Sequence, residues 1–127
     1  MIKAIISVSL GSTLGGLLRW VLSREFNSLW LVMPMGTYFA NVIAGFVAGL
    51  AIAFAAHTPS LSAEWRLFIV TGFCGALSTF STFSVEVVQA LQAGRVVYGL
   101  TEIFLHLLSS LFMTYLGFLT YQLFQSS

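Results

Sequence analysis

Aspartate is absent from this sequence, cysteine occurs once, proline twice, and the charged residues together make up 7% of 127 positions. Each shortage excludes something. A soluble domain typically carries about 25% charged residues, and a soluble fold this small cannot hide a chain that is 58% hydrophobic. Lipid is the solvent that fits. Five Lys/Arg against four Glu leave a net charge of +1, without the clustered basic face that a nucleic-acid partner requires. The lone Cys74 excludes an intrachain disulfide and the paired-cysteine spacings of zinc motifs, and it reads as a small buried hydrophobe within a span. Pro34 and Pro59 fall near segment boundaries rather than in mid-span.

What is present is long hydrophobic runs. A membrane span needs about 20 mostly apolar residues. Residues 2–22 supply a first, 33–56 a second, 61–91 a third and 96–124 a fourth, which together predict an all-α membrane protein, residues 1–127 forming one four-span domain. Lys3 precedes an apolar run, as in a signal peptide, but no small-residue cleavage site follows, so the first run reads as a span that stays. Trp20 and Trp30 flank the first loop, as interfacial aromatics do. The turns are His57-Thr58-Pro59-Ser60 and Gln92-Ala93-Gly94-Arg95. Four spans put both ends on one side, with Lys3 and Arg66 there and Arg19, Arg24 and Arg95 opposite. Such a balance gives the positive-inside rule almost nothing to act on. A weak single preference and insertion in both orientations both fit it. Gly11/Gly15 and Gly45/Gly49 are spaced for close helix contact, within one subunit or between two.

The polar residues inside these runs carry the functional signal. Arg19 near the end of the first span reads either as a snorkelling anchor or as a positive vestibule for anions. Asn41 in the second needs a partner, because hydrocarbon offers none. An interhelical hydrogen bond and donation to an anion both satisfy it. The third run is about half as long again as one span, and five of the seven residues from Ser78 to Ser84 are hydroxylic. Gly72 and Gly75 lie just upstream, so the run predicts a helix broken near residues 75–80. Backbone of that kind survives at membrane depth only where it is buried in protein or lines a cavity, and its freed carbonyls can coordinate a cation. Phe80 and Phe83 share one helical face, and a phenyl ring presents a positive edge. Glu102, His106, Ser110 and Thr114 recur every four residues in the fourth span, a stripe about 18 Å long that lines a polar path or meets polar neighbours. Glu86 reads as an interface-facing or capped carboxylate with no second carboxylate accompanying it, so hydrolytic chemistry has no support.

Three motifs, Gly15-Gly16-Leu17-Leu18-Arg19-Trp20, Gly36-Thr37-Tyr38-Phe39-Ala40-Asn41 with Gly45, and Gly72-Phe73-Cys74-Gly75-Ala76-Leu77-Ser78-Thr79-Phe80-Ser81-Thr82-Phe83, resemble the Fluc (CrcB) family of small bacterial fluoride channels. Ala76, Ser78 and Trp20 depart from the residues most common there, and the fourth span matches only loosely. The resemblance covers the whole chain. It implies a multi-pass protein of the bacterial inner membrane that forms an antiparallel, dual-topology homodimer with two anion pathways and needs no organic cofactor. It further implies a structural sodium ion held by the backbone carbonyls of Gly75 and Ser78. The anion pathway is expected along Asn41, Phe80, Ser81, Thr82, Phe83, His106, Ser110 and Thr114, with Arg19 at the vestibule. Fluoride trapped in the cytoplasm after hydrogen fluoride enters and ionises would leave passively through it.

Two rival readings carry other expectations. A small multidrug-type exporter is also a four-span antiparallel dimer, but it needs a carboxylate in the first span, and none precedes Glu25. A non-transporting assembly subunit explains the small residues and leaves the hydroxyl and phenylalanine cluster without a purpose.

Overall fold

A computed structural model describes residues 1–29 and 33–126; Trp30, expected at the first loop, lies outside the described residues. The described chain is helical from end to end. Helix α1 (Ile2–Phe26) is followed by α2 (Met35–Ala56), α3 (Ala63–Arg66), a π-helical stretch (Leu67–Cys74), α4 (Gly75–Leu77), α5 (Phe80–Gln92) and α6 (Val96–Ser126). Four of the resulting rods are long and apolar enough to cross a membrane: Ile2–Phe26, Met35–Ala56, Ala63–Gln92 and Val96–Ser126.

The local stops have local causes. Pro34, with extended backbone, immediately precedes α2, where its fixed φ and missing N–H cost nothing. Ser62 caps α3 by accepting from the Trp65 N–H at 3.3 Å. At the end of α5, Gly94 takes φ +79°. The Gly94 N–H then reaches the Leu91 carbonyl and the Arg95 N–H the Ala90 carbonyl, the paired bonds of a Schellman close. The first helix runs a turn past its expected end at residue 22, because Arg24 and Glu25 pair at 2.9 Å on its exposed last turn and do not stop it. Trp20 is exposed and lies beneath the Arg24 guanidinium, 4.9 Å from it.

The glycine pairs are spent within the chain. Any side chain at Gly11 or Gly15 would strike the backbone carbonyls of Phe68 or Phe73, so α1 lies backbone to backbone against the π-helical stretch. Gly45, Gly49 and Gly117 do the same between α2 and α6, where a Cβ on Gly117 would lie 2.7 Å from the Leu50 nitrogen. Close packing of this sort replaces the hydrophobic drive that lipid cannot supply. The π turn occurs along this α1 contact and widens the helix there; the Gly75 N–H reaches the Val70 carbonyl five residues back. The core is small, with Ala40, Ala44, Cys74 and Leu77 buried together and Leu18, Leu22 and Phe73 packed round them. Cys74 is buried, as expected. Most large apolar side chains of α1 and α6 point outward, among them Leu10, Leu14, Leu107 and Leu111.

Candidate functional site

The third span breaks at Ser78 and Thr79, whose backbones are extended (ψ 155° and 121°) between α4 and α5. The predicted break lies here, although the irregularity begins earlier, with the π turns from Leu67. Several of the groups freed by the break have an identifiable fate. Thr79 Oγ1 accepts from the Thr82 N–H at 3.2 Å and so caps α5. Ser78 donates both its N–H and its hydroxyl to the Cys74 carbonyl, at 3.0 and 2.9 Å. Arg19 Nε donates to the Ala76 carbonyl at 2.9 Å. Asn41 takes Thr79 on both sides: Oδ1 accepts from the Thr79 N–H at 2.7 Å, and Nδ2 donates to its carbonyl at 3.2 Å. The Gly75, Leu77 and Ser78 carbonyls receive no side-chain or loop hydrogen bond from another described residue. Those of Gly75 and Ser78 are the carbonyls expected to face a cation.

Beside the break runs a groove of about 650 Å³. Asn41, Gly75, Ser78, Phe80, Phe83, His106 and Ser110 line it, so most of the residues singled out from sequence converge on one surface. Phe80 sits at its margin, 79% exposed, and meets Phe83 edge-on with ring centroids 5.7 Å apart. Phe83 in turn lies 4.6 Å from the His106 ring. Ser81 is exposed and Thr82 half-buried, both outside the groove lining. Thr114 also lies outside it; its hydroxyl is turned back to the Ser110 carbonyl at 3.0 Å. The stripe on α6 therefore divides. His106 and Ser110 face the groove, His106 with little exposure, while Glu102 is buried away from its lining.

Glu86 departs in part from the sequence reading. The carboxylate is capped, one of the two readings the sequence allowed, but a second carboxylate accompanies it where none was expected. Its Oε2 accepts from the Thr37 hydroxyl at 2.7 Å, and Glu86, Glu102 and His106 bring ligand atoms within 4.8 Å of one another. Sixteen positions of sequence separate Glu86 from Glu102, and only the hairpin of α5 on α6 closes that gap. Sequence reasoning also missed Thr37, which is fully buried and whose N–H is held by Asn27 Oδ1 at 2.9 Å. Tyr38 was missed too; its hydroxyl donates to Ser109 Oγ at 2.6 Å. The available signal was the placement of Thr37, Tyr38 and Asn41 along a single face of α2.

Four rods of membrane length, packed through glycine, the third interrupted by a hydrogen-bonded break beside an open, mainly apolar groove with a few polar groups in its wall, define a multi-pass membrane protein. The chain belongs to the CrcB/FluC family: the family described as CrcB-like protein, Camphor Resistance (CrcB), matches residues 6–118. The chain is 54% identical over 127 residues, all of both chains, to a Nitrosomonas europaea protein named Fluoride-specific ion channel FluC. Proteins of the same name are 50% identical over 123 residues in Pseudomonas syringae pv. maculicola (97% of each chain) and 49% identical over 118 residues in Escherichia coli O1:K1 / APEC (93% of this chain, 94% of that one).

Proposed function

We propose that this chain is a passive, fluoride-selective ion channel and not an enzyme, exporting fluoride from the bacterial cytoplasm across the inner membrane. The observation that carries this reading is the full-length identity to proteins named as fluoride channels, combined with a groove whose walls suit a small anion. Fluoride is strongly hydrated, so its path must replace water with fixed donors and positive ring edges. Phe80 and Phe83 supply the edges. Asn41 supplies the N–H it now directs at His106, and Ser110 supplies a hydroxyl, with Ser81, Thr82 and Thr114 extending the polar track on either side. Arg19 gives the approach a positive charge while its Nε holds the Ala76 carbonyl. Movement follows the electrochemical gradient, with no bond made or broken.

Residues 1–127 act as one four-span unit, and two such units pair antiparallel as a dual-topology homodimer. The near-even Lys/Arg count permits insertion both ways, and the groove, open beside Phe80, presents a surface for a second copy. The Gly75 and Ser78 carbonyls, left over when Arg19 and Asn41 take their neighbours, would hold a structural sodium ion between the two units. Neutral carbonyl oxygens suit a hard monovalent cation, and such an ion would supply fixed positive charge at the centre. The Ser78 side chain is not needed for this role, because its hydroxyl is turned to Cys74.

Purified protein in liposomes should release fluoride when a potassium ionophore clamps the potential, and should release chloride far more slowly. Absence of fluoride flux, or equal chloride flux, overturns the proposal. Cysteines engineered on opposite membrane faces should cross-link as an antiparallel dimer.

A further inference from the structure

Glu86 of α5 and Glu102 and His106 of α6 form a cluster that the proposed pathway does not use as such. Glu102 is 2% and His106 4% exposed. Glu86 Oε1, Glu102 Oε2 and His106 Nε2 are buried without a hydrogen-bond partner among the described residues. By residue type, two carboxylates and an imidazole suit a transition metal. The hydrogen bonds around the imidazole point elsewhere.

Asn41 Oδ1 accepts from the Thr79 N–H at 2.7 Å, which identifies the oxygen end of that amide. The other end, Nδ2, lies 3.0 Å from His106 Nδ1 and can only donate. His106 Nδ1 is therefore an acceptor, and the neutral ring carries its proton on Nε2. That N–H faces the cluster, 3.9 Å from Glu102 Oε2. A metal bound at Nε2 needs the lone pair that this proton occupies. Shifting the proton to Nδ1 would set one N–H against another at 3.0 Å.

Glu86 and Glu102 bring carboxylate oxygens within 4.8 Å of each other, with the His106 N–H nearby. The surrounding groups from each packed element add little charge. Helix α2 contributes Thr37, donating to Glu86 Oε2 at 2.7 Å, Tyr38, whose hydroxyl is committed to Ser109, and Asn41. Helix α1 pairs no titratable side chain with the cluster, and Asn27, just past its end, reaches the Thr37 N–H. No Lys or Arg among the described residues pairs with the cluster. Two like charges this close and this dry repel strongly, and a single proton between them turns repulsion into a charge-assisted O–H···O⁻ bond.

We propose that Glu86 and Glu102 together bind one proton, Glu102 as the acid and Glu86 as the acceptor, making the cluster a proton site rather than a metal site. Thr37 sets the order, because its hydroxyl already donates to Glu86 and favours that residue as the carboxylate. The bound proton leaves one negative charge instead of two behind His106, whose ring contacts Phe83 on the groove wall. The assignment rests on geometry within one chain and stands apart from which ion the groove conducts.

Infrared spectroscopy on the purified full-length protein tests it. The wild type at neutral pH should show a protonated-carboxyl C=O band that shifts in D2O and disappears reversibly on alkaline titration, equivalent to one proton per chain. Glu102→Gln should lack the band, the amide taking the place of the acid as donor to Glu86, while eluting at the wild-type volume. Cobalt(II), added alone to untagged wild type, should produce no saturable change in the visible spectrum. Absence of the band in the wild type, its persistence in Glu102→Gln, or cobalt binding that Glu102→Gln abolishes would each overturn the assignment. The wild-type titration and the cobalt measurement decide the matter even if the variant misfolds.

Discussion

Asn41 on α2 grips Thr79 at both its N–H and its carbonyl, standing in for the helical neighbours that the break removes. The second Nδ2 hydrogen goes to His106 on α6, so one amide ties three spans together. Asn41→Ala strips the buried Thr79 N–H of its partner, at a cost of about 1–3 kcal/mol. The expected result is a lower melting temperature in detergent together with loss of fluoride efflux. Asn41→Asp keeps the acceptor for Thr79 but loses both donors and adds a negative charge. It should lose flux with at least as large a drop in melting temperature, because its second oxygen would face the Thr79 carbonyl and the acceptor nitrogen of His106.

The ring edges are separable from the fold. Phe80 is mostly exposed and Phe83 half-buried, so replacing either with Ile removes little packing from this chain. Phe80→Ile and Phe83→Ile should each reduce fluoride efflux from liposomes to near background while expression and elution volume stay the same. Persistent flux in both would remove the rings from the pathway.

Two adjacent glycines on α1 should behave differently. A side chain at Gly15 meets the Phe73 carbonyl, whereas Gly16 has nothing within 4 Å of a Cβ. Gly15→Val should destabilise the protein by about 1–3 kcal/mol through overpacking. Gly16→Ala should be neutral, or stabilising by about 0.5–1 kcal/mol from helix propensity. Thermal unfolding in one detergent, run side by side, reads the contrast.

Thr79 caps α5 through its hydroxyl. Thr79→Val keeps the shape and loses the cap, which costs about 1 kcal/mol; Thr79→Ser restores it. Hydrogen exchange at the first turn of α5 should accelerate in the valine variant and return to the wild-type rate in the serine variant.

Much of this arrangement was legible before any coordinates. The four spans follow from run length, and the break from the crowding of Ser and Thr after Gly75. Both depend on local composition, which is why they were readable. The partners of the break were not. Nothing near Arg19 in sequence points to Ala76, 57 residues away, and hydrocarbon-spanning helices offer no surface polarity pattern to orient them. The π turn was also hidden, because it lies where Gly72 meets Gly11 and Ser12 of the first span, a contact made only by packing. The neighbours of Glu86 were missed for the same reason. Its environment is made by Thr37 and Glu102, which approach it only once α2 and α6 are packed.

Phe80 stands uncovered at the rim of a groove that is open along its side. In the antiparallel pair proposed above, a second copy would cover that open side. That copy would supply the missing wall, and conduction would scale with the fraction of chains that have paired. Dilution into excess lipid would then silence the protein without unfolding it.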